Sequence, residues 1–196
     1  SLGCKVTLIN TQQRLLSFVA LLEKWNRVFN LTAVRDPGQM VVRDLLDSLA
    51  VLPYIKGPRV LDVGSGAGLP GIPLAVVTPQ WRFLLLDKQR KKVRFMTQAV
   101  IDLHLDNVEV VQAAVEDYVP AAPMDTVIAR AFAPLDRVLQ CCGHLCGAAG
   151  RLLAMKGRHS PAELQALPGG FRLTDHVDLH IPGLDARRHL AVFAPA

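Results

Sequence analysis

Residues 59–73 read RVLDVGSGAGLPGIP, and this stretch decides the fold. A short apolar run, Val60, Leu61 and Val63, stops at Gly64, and glycine then recurs at every second position: Gly64, Gly66 and Gly68. Leu69, Pro70 and Gly71 lead into an apolar segment, 72–77, that reads as a helix. Strand, glycine turn, helix is the layout of a nucleotide-cradling crossover. Without a Cβ, the turn can take positive φ and bring backbone N–H groups close to a ligand.

Gly66, Gly68 and Gly71 also fit a GxGxxG spacing, which points to a dinucleotide dehydrogenase. The register is poor, because the strand ends before Gly64 and the last glycine follows a proline. Asp62 argues further against it. A carboxylate at the end of the first strand repels a pyrophosphate and attracts a cofactor with a cationic amino-acid part.

Downstream, short strands alternate with helices. The second strand, 81–86, ends at Asp87, twenty-three residues after Gly64. There an acidic residue meets the two hydroxyls of an adenosine ribose. The next helix, 88–101, turns Val93, Met96, Val100 and Ile101 to one side and opens with Lys88, Arg90, Lys91, Lys92 and Arg94. Cations at a helix N-terminus oppose its dipole, so helix stability does not explain them. They form either a solvated face or a surface for a phosphate backbone. A third strand, 108–111, precedes Ala113, Ala114, Val115 and Glu116, placed to edge an adenine. A fourth, 125–129, delivers Arg130, Ala131 and Phe132 to the C-terminal edge of the sheet, where open α/β folds bind ligands.

The remaining pattern is a helix over 134–146 broken near Gly143, a strand over 150–155, and a basic turn, Lys156, Gly157, Arg158 and His159. A short helix over 161–167 follows, then two strands, 171–179 and 188–193. No ten-residue helix fits between these last two, so they run antiparallel. A mostly parallel seven-stranded sheet with a terminal antiparallel hairpin is the Rossmann-like class I adenosylmethionine-dependent methyltransferase fold, in a single unit over 58–196.

Residues 1–57 read as a helical extension packed on that core. Asn10 or Thr11 is placed to cap a helix in which Leu15, Phe18, Val19, Leu22 and Trp25 recur three and four apart. It ends near 28–30, in a run dense in aromatic and amide groups that reads either as a packed corner or as a substrate-side wall. Asp36 and Pro37 then read as N-cap and first position of a second helix through Leu49. Val41, Leu45, Leu46 and Leu49 give it an apolar face, leaving Arg43, Asp44 and Asp47 to pair or meet a ligand.

Composition sets the remaining bounds. The 196 residues are 51% apolar and 20% charged, which suits a globular chain and excludes a disordered tail. No apolar run reaches membrane-spanning length, and no signal peptide opens the sequence. A formal charge of +5 supports an acidic partner only modestly. Four cysteines in a chain this long do not read as a disulfide framework. Cys142, His144 and Cys146 raise a metal site, but the apolar surroundings and the missing second half favour buried free thiols and no metal. A reducing, cytoplasmic compartment is the expectation.

Taken together, KWNRVFNLTAVRDP, VVRDLLDSL, LDVGSGAGLPGIPLAV, LLDKQRKKVRFM, VIARAFAPL, LLAMKG and RRHLAVF make this chain similar to the glucose-inhibited division protein B family. These are bacterial methyltransferases of small-subunit (16S) ribosomal RNA that modify N7 of a guanosine. The resemblance implies S-adenosyl-L-methionine as cofactor, held by the turn at Gly64 with Gly66, Gly68, Leu69 and Asp62. It implies Asp87 on the ribose and Val115 and Glu116 at the adenine. Arg130 falls at the cofactor and target-base side, and Asn30 and Arg188 at polar positions of the same cleft, all three placing substrate. The implied partner is small-subunit ribosomal RNA, as RNA, assembly intermediate or subunit, met by a monomer with no membrane association. Family members commonly carry histidine where this chain has Asp44, and often proline at Ala67. Two other readings stay open: a small-molecule methyltransferase, or a non-enzymatic, nucleotide-responsive RNA-binding module.

Overall fold

The computed structural model describes residues 2–131, 133–157, 163 and 168–196, with 2–9 by backbone alone. Apart from residue 163, the expected helix over 161–167, together with Phe132, Arg158 and His159, lies outside the described residues.

The sheet follows from the alternation of short apolar runs. Its strands are β1 (Arg59–Val63), β2 (Arg82–Asp87), β3 (Val108–Gln112), β4 (Met124–Arg130), β5 (Cys146–Lys156), β6 (Phe171–Leu179) and β7 (Arg188–Pro195), in the order β3-β2-β1-β4-β5-β7-β6. β1 to β5 pair in parallel, and β7 runs antiparallel to both β5 and β6. Because β7 runs backwards, its first residues lie beside the last residues of β5, with His189 opposite Lys156. The basic starts and ends of these strands therefore meet at one edge.

Both faces of the central strands are covered, so their residues are buried on either side of the pleat. Leu61 and Val63 pack towards α6 (Leu135–Cys142), with Val138, Leu152 and Phe193. On the opposite face α4 (Gly71–Val77) and α5 (Arg90–Asp102) set Ile72 and Phe95 against Leu85. α5 buries Phe95, Met96 and Ala99, while Ile101 is 60% exposed, so the face expected from Ile101 is rotated by about a residue.

α1 (Leu2–Phe29) lies over α4 and α5. It does not start at Asn10 or Thr11 as expected, because the backbone is helical from Leu2 and no proline interrupts it; a mid-helix Asn or Thr costs only a few tenths of a kcal/mol, roughly. Phe18 meets Phe95, and Arg14 donates to the carbonyls of Leu103 and His104 at 2.6–3.0 Å, closing the end of α5. At the C-terminal end the buried Asn26 accepts from the N–H groups of Leu31 and Thr32 and donates to the Val34 carbonyl. This run is thus a packed corner.

Asp36 caps α2 (Pro37–Met40) by accepting from Gln39 N at 2.8 Å, with Pro37 at the first position. The helix does not continue as α to Leu49. It widens into a π-helical stretch, Val41–Leu46, before the short α3 (Asp47–Leu49). The carbonyls at this wide turn take side-chain donors, Arg130 on Arg43 and Ser48 on Asp44. Leu45 and Met40 carry the burial, and Asp44 and Asp47 point into the protein at 2% exposure each.

Candidate active site

The glycine turn takes its shape from positive φ at Gly64, Gly66 and Gly68 (66°, 58° and 72°). Leu86 O accepts from Gly64 N and Ser65 N, pinning the turn to the end of β2. A Cβ on Gly68 would sit 2.3 Å from Ile72 Cδ1, so both φ and space demand glycine there. Gly71 is required for a different reason. A Cβ would meet Leu85 Cδ2 at 2.1 Å and Asp62 Oδ2 at 2.9 Å, where α4 packs onto β1 and β2.

The pleat explains where Asp62 goes. Val63 faces a cavity, so its neighbour Asp62 faces α4, fully buried, with Oδ2 accepting from Gly71 N at 2.9 Å. Burial pushes its pKa up to about 7, against the pull of that hydrogen bond, and Oδ1 has no partner. Asp62 therefore lies beneath the turn and does not line the cavity. Leu69 is also buried, in the core under α1.

The cavity itself, about 300 Å³, opens where the C-terminal ends of β1, β2 and β4 diverge. Gly64, Asp87, Val115, Glu116 and Arg130 line it, together with Ala113 and Ala114. Asp87 is 5% exposed; Oδ2 accepts from Gly66 N at 3.0 Å and Oδ1 from Gln89 N at 2.8 Å. Each oxygen has a second lone pair, so this held carboxylate retains capacity for a vicinal diol. Lys92 Nζ lies 3.9 Å from Asp87, and Lys88 and Lys92 both line the cavity, which separates these two from the exposed Arg90 and Lys91 with which the sequence groups them. Across the floor, Val115 is buried and Glu116 exposed. Glu116's own backbone N–H holds its pKa below the usual range, with Cys141 donating to its Oε1. A carboxylate with acceptor capacity to spare, a turn with glycine at every second position and an apolar strip form a fitting set for an adenosine with an amino-acid tail.

Arg130 closes the cavity at the end of β4. The next residue, Ala131, takes φ 47°, a left-handed conformation that costs alanine about 1 kcal/mol and turns the chain sharply there. The Arg130 guanidinium lies 3.1 Å from Asp44 Oδ1 and 3.5 Å from Asp47 Oδ2. Arg130 also borders a second cavity of about 220 Å³, shared with Asp47, Met155, Lys156, Arg188 and His189. Arg188 Nε sits 3.2 Å from Asp47 Oδ1. That approach pairs the charges but is off-axis for a hydrogen bond, and Asp47 Oδ1 and Arg130 Nη1 are both buried without one.

The structure thus brings Arg130 and Arg188 together across Asp47, which the sequence marks only as a residue to pair or meet a ligand. Asn30 stands apart from both cavities. It is exposed, with φ 49° at the end of α1, and its Oδ1 accepts from Arg35 at 2.6 Å. Lys156 and His189 were recognisable only as parts of basic runs, because their pairing across β5 and β7 is long-range.

Cys141, Cys142 and Cys146 are free thiols, and among the described residues no three His, Cys, Asp or Glu side chains gather as metal ligands. Burial raises the Cys142 and Cys146 pKa to about 12 and about 11, so both stay protonated. Among the described residues, no helix is long and apolar enough to cross a membrane.

With this geometry in place, comparison with known proteins gives a consistent outcome. Residues 11–191 match the family model described as rRNA small subunit methyltransferase G. The protein of that activity from Marinobacter nauticus, called ribosomal RNA small subunit methyltransferase G, is 50% identical over 94% of this chain and 86% of its own length. Its counterpart from Escherichia fergusonii is 48% identical over 94% of this chain and 89% of its own. Among solved structures, a SAM dependent methyltransferase from Aquifex aeolicus superposes with a TM-score of 0.59 at 21% identity, covering 81% of this chain and 93% of that one. TrmN from Thermus thermophilus gives 0.58 at 22% identity; the match covers 76% of this chain and 47% of TrmN. At such identities the structures speak for the fold alone.

Proposed function

This chain belongs to the rRNA small subunit methyltransferase G family, and from that premise we propose that it methylates N7 of a guanosine in small-subunit (16S) ribosomal RNA. The observation that carries the reading into the site is Arg130, which borders both the Asp87 cavity and the Arg188 cavity, so that donor and target meet across one residue.

S-adenosyl-L-methionine is the cofactor, and bound it supplies an electrophilic methyl group on a sulfonium. Asp87 accepts from its ribose hydroxyls, Val115 and Glu116 edge the adenine, and Gly64 presents backbone to the tail. Gly66, Gly68, Leu69 and Asp62 act from behind by fixing the turn. Guanine N7 has an in-plane lone pair and no proton, so the site needs no general base. Its residues work by orientation, holding the reacting atoms about 3–3.5 Å apart. N7 gains positive charge as it is methylated, so Arg130 and Arg188 serve O6 or phosphate rather than N7. Asn30, exposed at the end of α1 and outside both cavities, serves the RNA rather than the donor. Exposed Lys88, Arg90, Lys91 and Arg94 give the phosphate backbone a surface beside the cavity. The substrate is small-subunit ribosomal RNA, as RNA, assembly intermediate or subunit, and one copy of the chain suffices.

The test supplies tritiated cofactor and small ribosomal subunits from cells lacking the endogenous enzyme, followed by nucleoside analysis. Label in 7-methylguanosine at one site is expected. Label transferred as readily to free guanosine would favour a small-molecule methyltransferase, and cofactor binding without transfer to subunit, RNA or intermediate would overturn the reading.

A further inference from the structure

Two cations do not settle side by side unless something between them offsets their repulsion. Arg130 comes from the end of β4 and Arg188 from the start of β7, and both border the second cavity. Asp47 stands between them, with Oδ2 at 3.5 Å from Arg130 Nη2 and Oδ1 at 3.2 Å from Arg188 Nε. Among the described residues it is the carboxylate that reaches both. Asp44 meets Arg130 and accepts from Thr32 Oγ1, but does not reach Arg188 within ion-pair distance.

Asp47 is itself rigidly held. It opens α3 directly after the π-helical turn and is 2% exposed. It therefore has little freedom to follow either arginine; the arginines must come to it. Without this carboxylate Arg188 loses its ion pair and regains rotamer freedom, while Arg130 keeps Asp44 and the Arg43 carbonyl. The uncompensated guanidiniums then separate by movement of Arg188.

We propose that Asp47 is a positioning residue: it sets the spacing of Arg130 and Arg188 so that the pair brackets the target guanosine between the two cavities. This rests on the methyltransferase reading above. Asp47 touches neither donor nor target; it acts through the arginines. Its own contribution therefore exists only while both arginines are present.

That dependence supplies the test. Methylation of small subunits is measured at saturating cofactor and varied subunit concentration for the wild type, Asp47→Asn, Arg188→Ala and the double variant. Rates are normalised to cofactor-binding stoichiometry, so that unfolded protein does not count. Asp47→Asn is expected to lower kcat at least tenfold, with the KM for subunits changed less than threefold, because dispersed surface cations set most RNA affinity. The double variant is expected to be no slower than Arg188→Ala within twofold. Fold reductions that multiply in the double variant, or an unchanged kcat in Asp47→Asn, overturn the positioning role. Should Asp47→Asn fail to bind cofactor stoichiometrically, Asp47→Glu keeps the charge but displaces it. A tenfold kcat loss there at full cofactor stoichiometry supports the proposal, and an unchanged kcat overturns it. Absence of label from the wild type overturns the methyltransferase reading itself, and this one with it.

Discussion

Gly71 N donates to Asp62 Oδ2 at 2.9 Å, so the first backbone N–H of α4 is held by a fully buried carboxylate from the strand it packs against. One contact joins strand, turn and helix. The turn keeps its shape because both ends are fixed, at Leu86 O and at Asp62.

The helix sits so close that there is no room for a methyl at position 71. Gly71→Ala sets a Cβ 2.1 Å from Leu85 Cδ2 and within 3 Å of the Asp62 carboxylate. Overpacking of this kind costs roughly 1–3 kcal/mol. Chemical denaturation should show that loss, together with weaker cofactor binding as the turn shifts.

Asp62 also makes stability depend on pH. Its folded pKa, about 7, lies above the ordinary value of 3.8, so the folded state holds the proton more tightly than the unfolded chain. The contribution is fully present below about pH 4 and is lost as pH rises through about 7, with an upper bound on the order of 4 kcal/mol. Asp62→Asn removes this titration. Melting temperature measured from pH 5 to 8 should fall less steeply in the variant than in the wild type.

Asp87 accepts from Gly66 N and Gln89 N while facing the cavity. Asp87→Ala deprives the turn of an anchor and the ribose of its acceptor. Hydrogen bonds to a charged group are worth roughly 1.5–3 kcal/mol each, so calorimetry should record cofactor affinity reduced about a hundredfold.

Asp44 lies 3.1 Å from Arg130 and is 2% exposed. Removing it leaves a guanidinium with less compensation in a mostly buried place. Asp44→Ala should destabilise the protein by about 3 kcal/mol in urea titrations. An Asp44→His variant, carrying the residue common in the family, should recover less than half of that loss, because a neutral imidazole does not replace the charge.

The exposed cations Arg90, Lys91 and Arg94 are separate from Lys88 and Lys92, which line the cavity. Replacing these three by alanine should make log affinity for RNA shallower against log salt by about 2, at roughly 0.7 per lost phosphate contact. Cofactor affinity should be unchanged. An equal slope in the variant would remove them from the RNA surface.

By itself the sequence determined the frame. Short apolar runs, punctuating glycines and the missing helix before β7 are local signals, and each needs only neighbouring residues to act. They placed the strands, the turn at Gly64 and the cavity side of Asp87, Val115 and Arg130. Local reasoning misjudged what depends on neighbours: α1 runs past Thr11, Ile101 faces solvent, and the helix after Pro37 widens at Val41–Leu46. Only the tertiary structure decided which way each carboxylate points. Asp62 and Val63 are adjacent, yet the pleat sends one into the core and the other to the cavity. Asp47, Arg130 and Arg188 are far apart in the chain and meet because β7 runs backwards beside β5. Long-range pairing sets such meetings, and no local pattern encodes them.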